Sequence, residues 1–156
     1  RLDRETSGLI IYAKGKSTQK KMMDEFKNRG VLKAYVAVVQ GVLPKDSGKI
    51  TYKVDNVPAV TDFKVLRRYN GFTLVKVLPT TGRKNQIRIH FKQIGHPLVG
   101  ESRFSFRKDF RLKAKRALLH ASELAFKHPV NGTGISLNSE LPQDINNFIQ
   151  NHGDKT

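Results

Sequence analysis

The spacing of apolar positions changes several times along this chain, and each change marks an element. Leu9, Ile10 and Ile11 begin a continuous apolar run over 9–13 that reads as a short buried strand. It is entered through the polar stretch Arg1-Leu2-Asp3-Arg4-Glu5-Thr6-Ser7-Gly8. Ser17 stands where an N-cap belongs, and Met22, Met23 and Phe26 recur at helical spacing as a narrow buried stripe. Asn28-Arg29-Gly30 closes that helix. From 32 to 43 the pattern is a Val-rich strand, ended by the turn composition Pro44-Lys45-Asp46-Ser47-Gly48. Three further strands over 49–54, 59–69 and 72–78 are predicted to form an antiparallel meander. Asn70-Gly71 joins the last two, and both residues tolerate the positive φ of a type I′ hairpin turn. Phe63, Val65, Arg67 and Tyr69 alternate along one strand of it.

Thr80-Thr81-Gly82-Arg83 then leads into a predicted helix over 84–94, stopped by Gly95-His96-Pro97. Its core stripe is Ile87, Phe91 and Ile94. Arg88 lies about 100° round from Ile87, at the margin of that stripe, where it can be partly buried and still reach a cleft. Residues 104–115 are a basic, aromatic-dotted connection without assignable period. Residues 117–128 read as one long strand or a strand pair, 133–137 as a last strand, and 142–150 as a terminal helix with Pro142 at its start. No repeat, low-complexity tract or linker divides the chain, so residues 1–156 are expected to form one domain. Its class is α+β, a mixed, mainly antiparallel sheet with flanking helices. Because the first residue falls inside a turn beside Asp3, the domain reads as N-terminally incomplete.

Composition narrows the function. Hydrophobic residues make up 38% and charged residues 27%, which suits a folded globular domain. No apolar run approaches the ~18 residues of a membrane span, so no membrane partner is expected. Cysteine is absent, which excludes disulfides and thiolate metal sites and is compatible with a cytoplasmic setting. Lys and Arg number 29 against 13 Asp and Glu, a net charge of +16. That is the electrostatic footprint of a nucleic-acid binder, without distinguishing DNA from RNA.

Three segments could carry chemistry. Asp3 lies between Arg1 and Arg4 at a strand entry, where on its own an aspartate reads as a turn or ion-paired residue and only the rest of the chain raises a functional reading. In Lys33-Ala34-Tyr35-Val36-Ala37, strand alternation puts Lys33 and Tyr35 on one face, suggesting a polar cleft, although a half-buried tyrosine is ordinary in a sheet. Thr81-Gly82-Arg83-Lys84-Asn85-Gln86-Ile87-Arg88-Ile89-His90 puts cations at a helix start suited to phosphate, with Gln86 and His90 sharing a face. The five histidines lack metal-ligand spacing, and neither a P-loop nor a dinucleotide-binding glycine motif is present. No metal and no cofactor are therefore expected.

In this order the segments resemble the RluA-type pseudouridine synthases, the large-subunit ribosomal RNA type. Arg1-Leu2-Asp3-Arg4-Glu5-Thr6-Ser7-Gly8 is similar to the family's catalytic-aspartate motif without its preceding His, and Lys33-Ala34-Tyr35-Val36-Ala37 to its tyrosine motif. The segment from Thr81 to His90 is similar to its basic helix, followed by Ile94-Gly95-His96-Pro97-Leu98-Val99-Gly100. Leu119-His120-Ala121 and Phe126-Lys127-His128-Pro129 fit its closing strands. Asn85 and Glu101-Ser102-Arg103-Phe104 depart from the family pattern, at positions expected to lie away from the catalytic three.

The resemblance implies the pseudouridine synthase catalytic fold and isomerisation of uridine to pseudouridine in ribosomal or transfer RNA, without a cofactor. It also implies three catalytic roles: Asp3 as nucleophile or base, Tyr35 stacking on the flipped uracil, and Arg88 hydrogen-bonded to Asp3. RNA contacts are expected from Arg1, Arg4, Lys33, Arg83, Lys84, Gln86 and His90. The alternative is a non-catalytic RNA-binding or ribosome-assembly protein on the same fold. Convergence of Asp3, Tyr35 and Arg88 in one cleft discriminates between the two.

Overall fold

The structure is a computed structural model in which residues 1–105 and 112–153 are described, so residues 106–111 of the expected basic connection lie outside the described residues. In chain order the elements are β1 (Ser7–Gly8), α1 (Lys16–Lys27), β2 (Leu32–Gln40), β3 (Ser47–Ile50), β4 (Thr61–Tyr69) and β5 (Phe72–Pro79). There follow α2 (Gln86–Gln93), β6 (Leu119–Lys127), β7 (Gly134–Asn138) and α3 (Gln143–His152). The strands form one sheet in the order β1-β6-β2-β5-β4-β3, with β7 also paired to β6. Among the described residues only β1 runs parallel to its neighbour, β6, and the other strand pairings are antiparallel. This is the mixed, mainly antiparallel sheet with flanking helices that the hydrophobic pattern predicts. No helix among the described residues is long and apolar enough to cross a membrane.

Side-chain alternation along β2 divides the core in two. Ala37 and Val39 join Val75, Val77, Phe63, Ile87 and Phe91 under α2. Val38 joins Phe72, Val99, Ile145 and Phe148 under α3, on the opposite face. A third cluster, Met22, Val31 and Leu124 with Leu9 and Ile11 against it, seats α1. The stripe expected on α2 holds, with Ile87 and Phe91 buried and Ile94 packed against the same core.

Several local expectations fail for physical reasons. The apolar run over 9–13 is not a strand: the pairing is made by Ser7 and Gly8, and only Leu9 N–H continues it, to the Ala121 carbonyl at 2.9 Å. Gly8 has φ +111°, and a Cβ there would overlap the Ala121 carbonyl, so the chain can lie against β6 only with glycine at this point. Helix α1 starts after Gly15, which leaves Ser17 inside its first turn rather than at its cap. Of its expected stripe only Met22 is buried, while Met23 and Phe26 are exposed. The type I′ geometry falls at Asp55 and Asn56, with φ of 49° and 61°, between the bridged pair Val54 and Val57. At the Asn70-Gly71 turn only Gly71 has positive φ. Leu66 bulges out of β4 between Val65 and Arg67, and a bulge supplies right-handed twist by itself. The same bulge breaks the alternation expected in β4: Phe63 faces α2, whereas Tyr69 packs under α3.

Candidate active site

A second bulge shapes the cleft. Between Ala34 and Tyr35 the pairing of β2 moves from Glu123 to Ala121, so Ser122 is the extra residue of β6. Its hydroxyl donates to the Ala34 carbonyl at 3.2 Å. The bulge returns Leu124 to the face that carries Leu119, opposite Lys33 and beside Tyr35. Those side chains floor a cleft of about 380 Å³. Phe26 of α1 stands on one wall, Gln86 and Ile87 of α2 on another, and Thr81, Gly82, Arg83 and Asn85 form the loop between β5 and α2. The segment before β1 closes it with Arg1, Leu2 and Asp3.

Asp3, Tyr35, Lys33, Arg1, Arg83 and Gln86 thus meet in one concavity although up to 85 positions separate them in the sequence. Arg88 does not line the concavity but stands behind Asp3, its Nη1 3.9 Å from Asp3 Oδ2. Asp3 is partly exposed, at 26% of its side chain. A turn, Thr6 N–H to the Asp3 carbonyl at 2.9 Å, sets its direction. Burial, and after it the negative charge of Asp3, push the Tyr35 phenol above its ordinary pKa. Tyr35 is therefore a neutral ring at physiological pH, fit to stack or donate rather than to act as a ready base. Burial pushes the Lys33 ammonium down.

The expectation that Arg88 hydrogen-bonds Asp3 is not met. Its fork is taken by Glu101, with Nε to Oε2 at 2.6 Å and Nη2 to Oε1 at 2.7 Å. Glu101 is fully enclosed and also accepts from the backbone N–H groups of Arg103 and Phe104 at 2.9 and 3.1 Å. Burial alone would raise its pKa, but the Arg88 and backbone hydrogen bonds together outweigh it and hold the carboxylate below its ordinary range. Arg88 is raised in turn, first by the Glu101 hydrogen bond. Its Nη1 donates to Asn85 Oδ1 at 3.0 Å, and the Phe104 ring lies 5.1 Å from its guanidinium carbon. Asn85 and Glu101, which the sequence placed away from the catalytic three, are thus the immediate partners of Arg88. The sequence signalled only that an arginine at the edge of an apolar stripe calls for a counterion, and nothing in it singled out Glu101.

Two other expectations are corrected. His90 is wholly buried and bonded through Nδ1 to Thr61 Oγ1 at 2.9 Å and through Nε2 to the Tyr52 carbonyl at 2.8 Å. It joins α2 to the strands and is not on an RNA-facing surface. Burial holds it neutral, which fixes the tautomer: Nε2–H donates to Tyr52 and Nδ1 accepts from Thr61. Gln86 does share that face, but its amide is fully used. It accepts from the Thr81 hydroxyl and Arg83 N–H, and donates to the Val60 carbonyl and Thr61 Oγ1. Gln86 therefore pins the cleft loop, leaving no amide valence for RNA. Arg4 and Lys84 are exposed outside the cleft lining. Among the described residues no group of three or more His, Asp or Glu could hold a metal ion.

Comparison with known proteins gives the family. A sequence profile described as RNA pseudouridylate synthase matches residues 1–93. An uncharacterized RNA pseudouridine synthase of Bacillus subtilis is 37% identical, the alignment covering 97% of this chain and 54% of that protein. The dual-specificity RNA pseudouridine synthase of Haemophilus influenzae is 35% identical, with 90% and 71% covered. For the ribosomal large subunit pseudouridine synthase D of Neisseria meningitidis the values are 32%, 96% and 46%. The chain thus spans about half the length of the first and third of these relatives. In fold it is similar to human RNA pseudouridylate synthase domain containing 1, with a TM-score of 0.72 at 24% identity, covering 97% of this chain and 77% of that one. With the profile matching more than half of this chain and a relative 35% identical over most of both chains, this chain belongs to the RNA pseudouridylate synthase family.

Proposed function

We propose that this chain isomerises uridine to pseudouridine in structured RNA, ribosomal or transfer. The N1–C1′ glycosidic bond breaks, the uracil turns, C5 bonds to C1′, and the C5 proton is lost as N1 gains one, so the reaction is redox-neutral. The observation that carries this reading is the meeting of Asp3, Tyr35 and Arg88 around one cleft in a member of this family. Asp3 is the partly exposed carboxylate that faces the ribose. Tyr35, neutral and set in the sheet, offers its ring to the uracil. Arg88 acts at a distance: paired with Glu101, it leaves the Asp3–Arg88–Glu101 group with a net charge of −1, all of it available on Asp3.

A uridine must leave its stack to enter such a cleft, and the energetic cost is offset by stacking and phosphate contacts. Arg1, Lys33 and Arg83 line the cleft as phosphate partners, with Arg4 and Lys84 on the surface beyond. Helix α1 extends the basic surface, where Phe26 at the cleft wall and Met23 one turn back are exposed near Lys16, Lys20 and Lys27. Convergence of the three side chains favours an enzyme over the non-catalytic RNA-binding alternative, which needs no such site.

Loss of the C5 proton supplies the test. RNA carrying tritium at uridine C5 is incubated with the chain and release of tritium to water is measured. Release in proportion to pseudouridine formed is expected; an RNA bound with no release would favour the binding protein.

A further inference from the structure

We propose that Arg116, oriented by Asp144 of α3, is a positioning residue that holds the Asp3 loop in its working geometry. The proposal rests on Asp3 being the reacting carboxylate. β1 has only two paired residues, so the sheet by itself restrains the segment before it weakly. Arg116 supplies what the ladder does not. Its Nη1 donates to the carbonyls of Glu5, Ala117 and Leu119 at 2.8, 3.0 and 3.0 Å. Its Nη2 donates to Ser7 Oγ at 3.0 Å, whose hydroxyl also meets His120 Nδ1 at 2.9 Å. The same guanidinium forks onto Asp144, Nε to Oδ2 at 2.6 Å and Nη2 to Oδ1 at 3.0 Å. Glu5 answers with its own carboxylate, accepting from Ala117 N–H at 3.3 Å. One side chain therefore ties residues two and four beyond Asp3 to β6 and to the C-terminal helix.

The backbone of Arg116 is held as firmly. Its carbonyl lies against Gly100 (φ +79°), where a Cβ would overlap it. Gly100 directly precedes Glu101, the partner of Arg88. The two supports of the site, one behind Arg88 and one behind the Asp3 loop, thus share a single close-packed joint. Only arginine serves at this point, because its donors are needed at once and in a fixed plane; a lysine reaches one or two of these acceptors. Of these contacts only the one to Leu119 touches a residue that lines the cleft, and it is made to the backbone carbonyl, so the expected effect is on placement rather than on RNA affinity.

The test uses the full chain with Arg116→Lys and Asp144→Asn. Three quantities are read for each: kcat and KM on an RNA substrate, amide hydrogen exchange over residues 5–8, and exchange over β4 and β5 as a measure of global stability. Misplacement of a reacting group by about 1 Å can cost on the order of 100-fold in rate. Arg116→Lys is accordingly expected to lower kcat by roughly 10- to 100-fold with KM within about threefold, and Asp144→Asn to lower it less. Protection should be lost at residues 5–8 and kept in β4 and β5. Unchanged kcat, unchanged protection at 5–8, or a parallel loss of protection everywhere would overturn the proposal. If the unaltered chain itself gives no turnover, the reaction assigned above fails, and amide protection alone then decides the anchoring: freed amides at 5–8 uphold it, and unchanged ones overturn it.

Discussion

Arg88 lies between two carboxylates and commits its fork to the enclosed one. The fully enclosed Glu101 takes both hydrogen bonds, and Asp3 stands 3.9 Å away with part of its side chain open to the cleft. This division follows from burial: an enclosed carboxylate without a partner is far costlier than a partly solvated one. It yields an ordering of stabilities. Glu101→Gln leaves the guanidinium without its main counterion, and breaking a buried pair in this way costs about 3 kcal/mol or more. Asp3→Asn breaks only a longer contact with a partly exposed partner and should cost under about 1 kcal/mol. Urea denaturation of both variants measures the difference, and a larger loss for Asp3→Asn would contradict the assignment. Asp3, Tyr35 and Arg88 were legible in the sequence because their three segments follow one another in the order of a family pattern, while each alone fits an ordinary structural role. Which carboxylate Arg88 takes was hidden, since Glu101 lies in an irregular stretch with the composition of a surface loop.

At the scale of elements, the polar pins under α2 matter as much as its apolar stripe. Thr61 Oγ1 accepts from Gln86 Nε2 and donates to His90 Nδ1, so one hydroxyl joins β4 to two turns of the helix. Thr61→Val keeps the shape but leaves both buried partners short of a bond, at about 1–3 kcal/mol for each group stranded. The expected result is a lower denaturation midpoint together with a looser loop at Thr81 and Arg83, read by amide exchange; an unchanged midpoint would show the pin to be dispensable. The main elements were legible from periodicity, because burial of alternate or helically spaced residues writes itself into the order of apolar positions. The bulges at Leu66 and Ser122 were not, since one extra residue in a strand leaves the composition unchanged and merely exchanges its faces. His90 was misassigned for the same reason: its helix face was read correctly, but not the threonine and carbonyl waiting on the other side.

Over the whole molecule, the two wholly or nearly buried histidines link stability to pH. Burial lowers the pKa of both His90 and His120 from the ordinary 6.5. Below that value the unfolded chain takes up a proton at each site while the folded chain resists, so stability is complete above about pH 6.5 and falls as pH drops through it toward the folded values. Chemical denaturation at constant ionic strength between pH 7.5 and 5.5 (on the order of the unperturbed histidine pKa) checks the sign, and a rise in stability on acidification would refute it. The net charge of +16 is the electrostatic footprint of a nucleic-acid binder and says nothing of the chemistry. The proposed chemistry rests on a carboxylate brought near a tyrosine and a buried arginine from three distant parts of the chain. The most direct measurement is therefore pseudouridine formation and RNA affinity of Asp3→Asn beside the unaltered chain, on the same ribosomal and transfer RNA. Pseudouridine from the unaltered chain and none from the variant, with affinity within about threefold because binding rests on the cations around the cleft, is the expected result. Turnover retained by Asp3→Asn would contradict it.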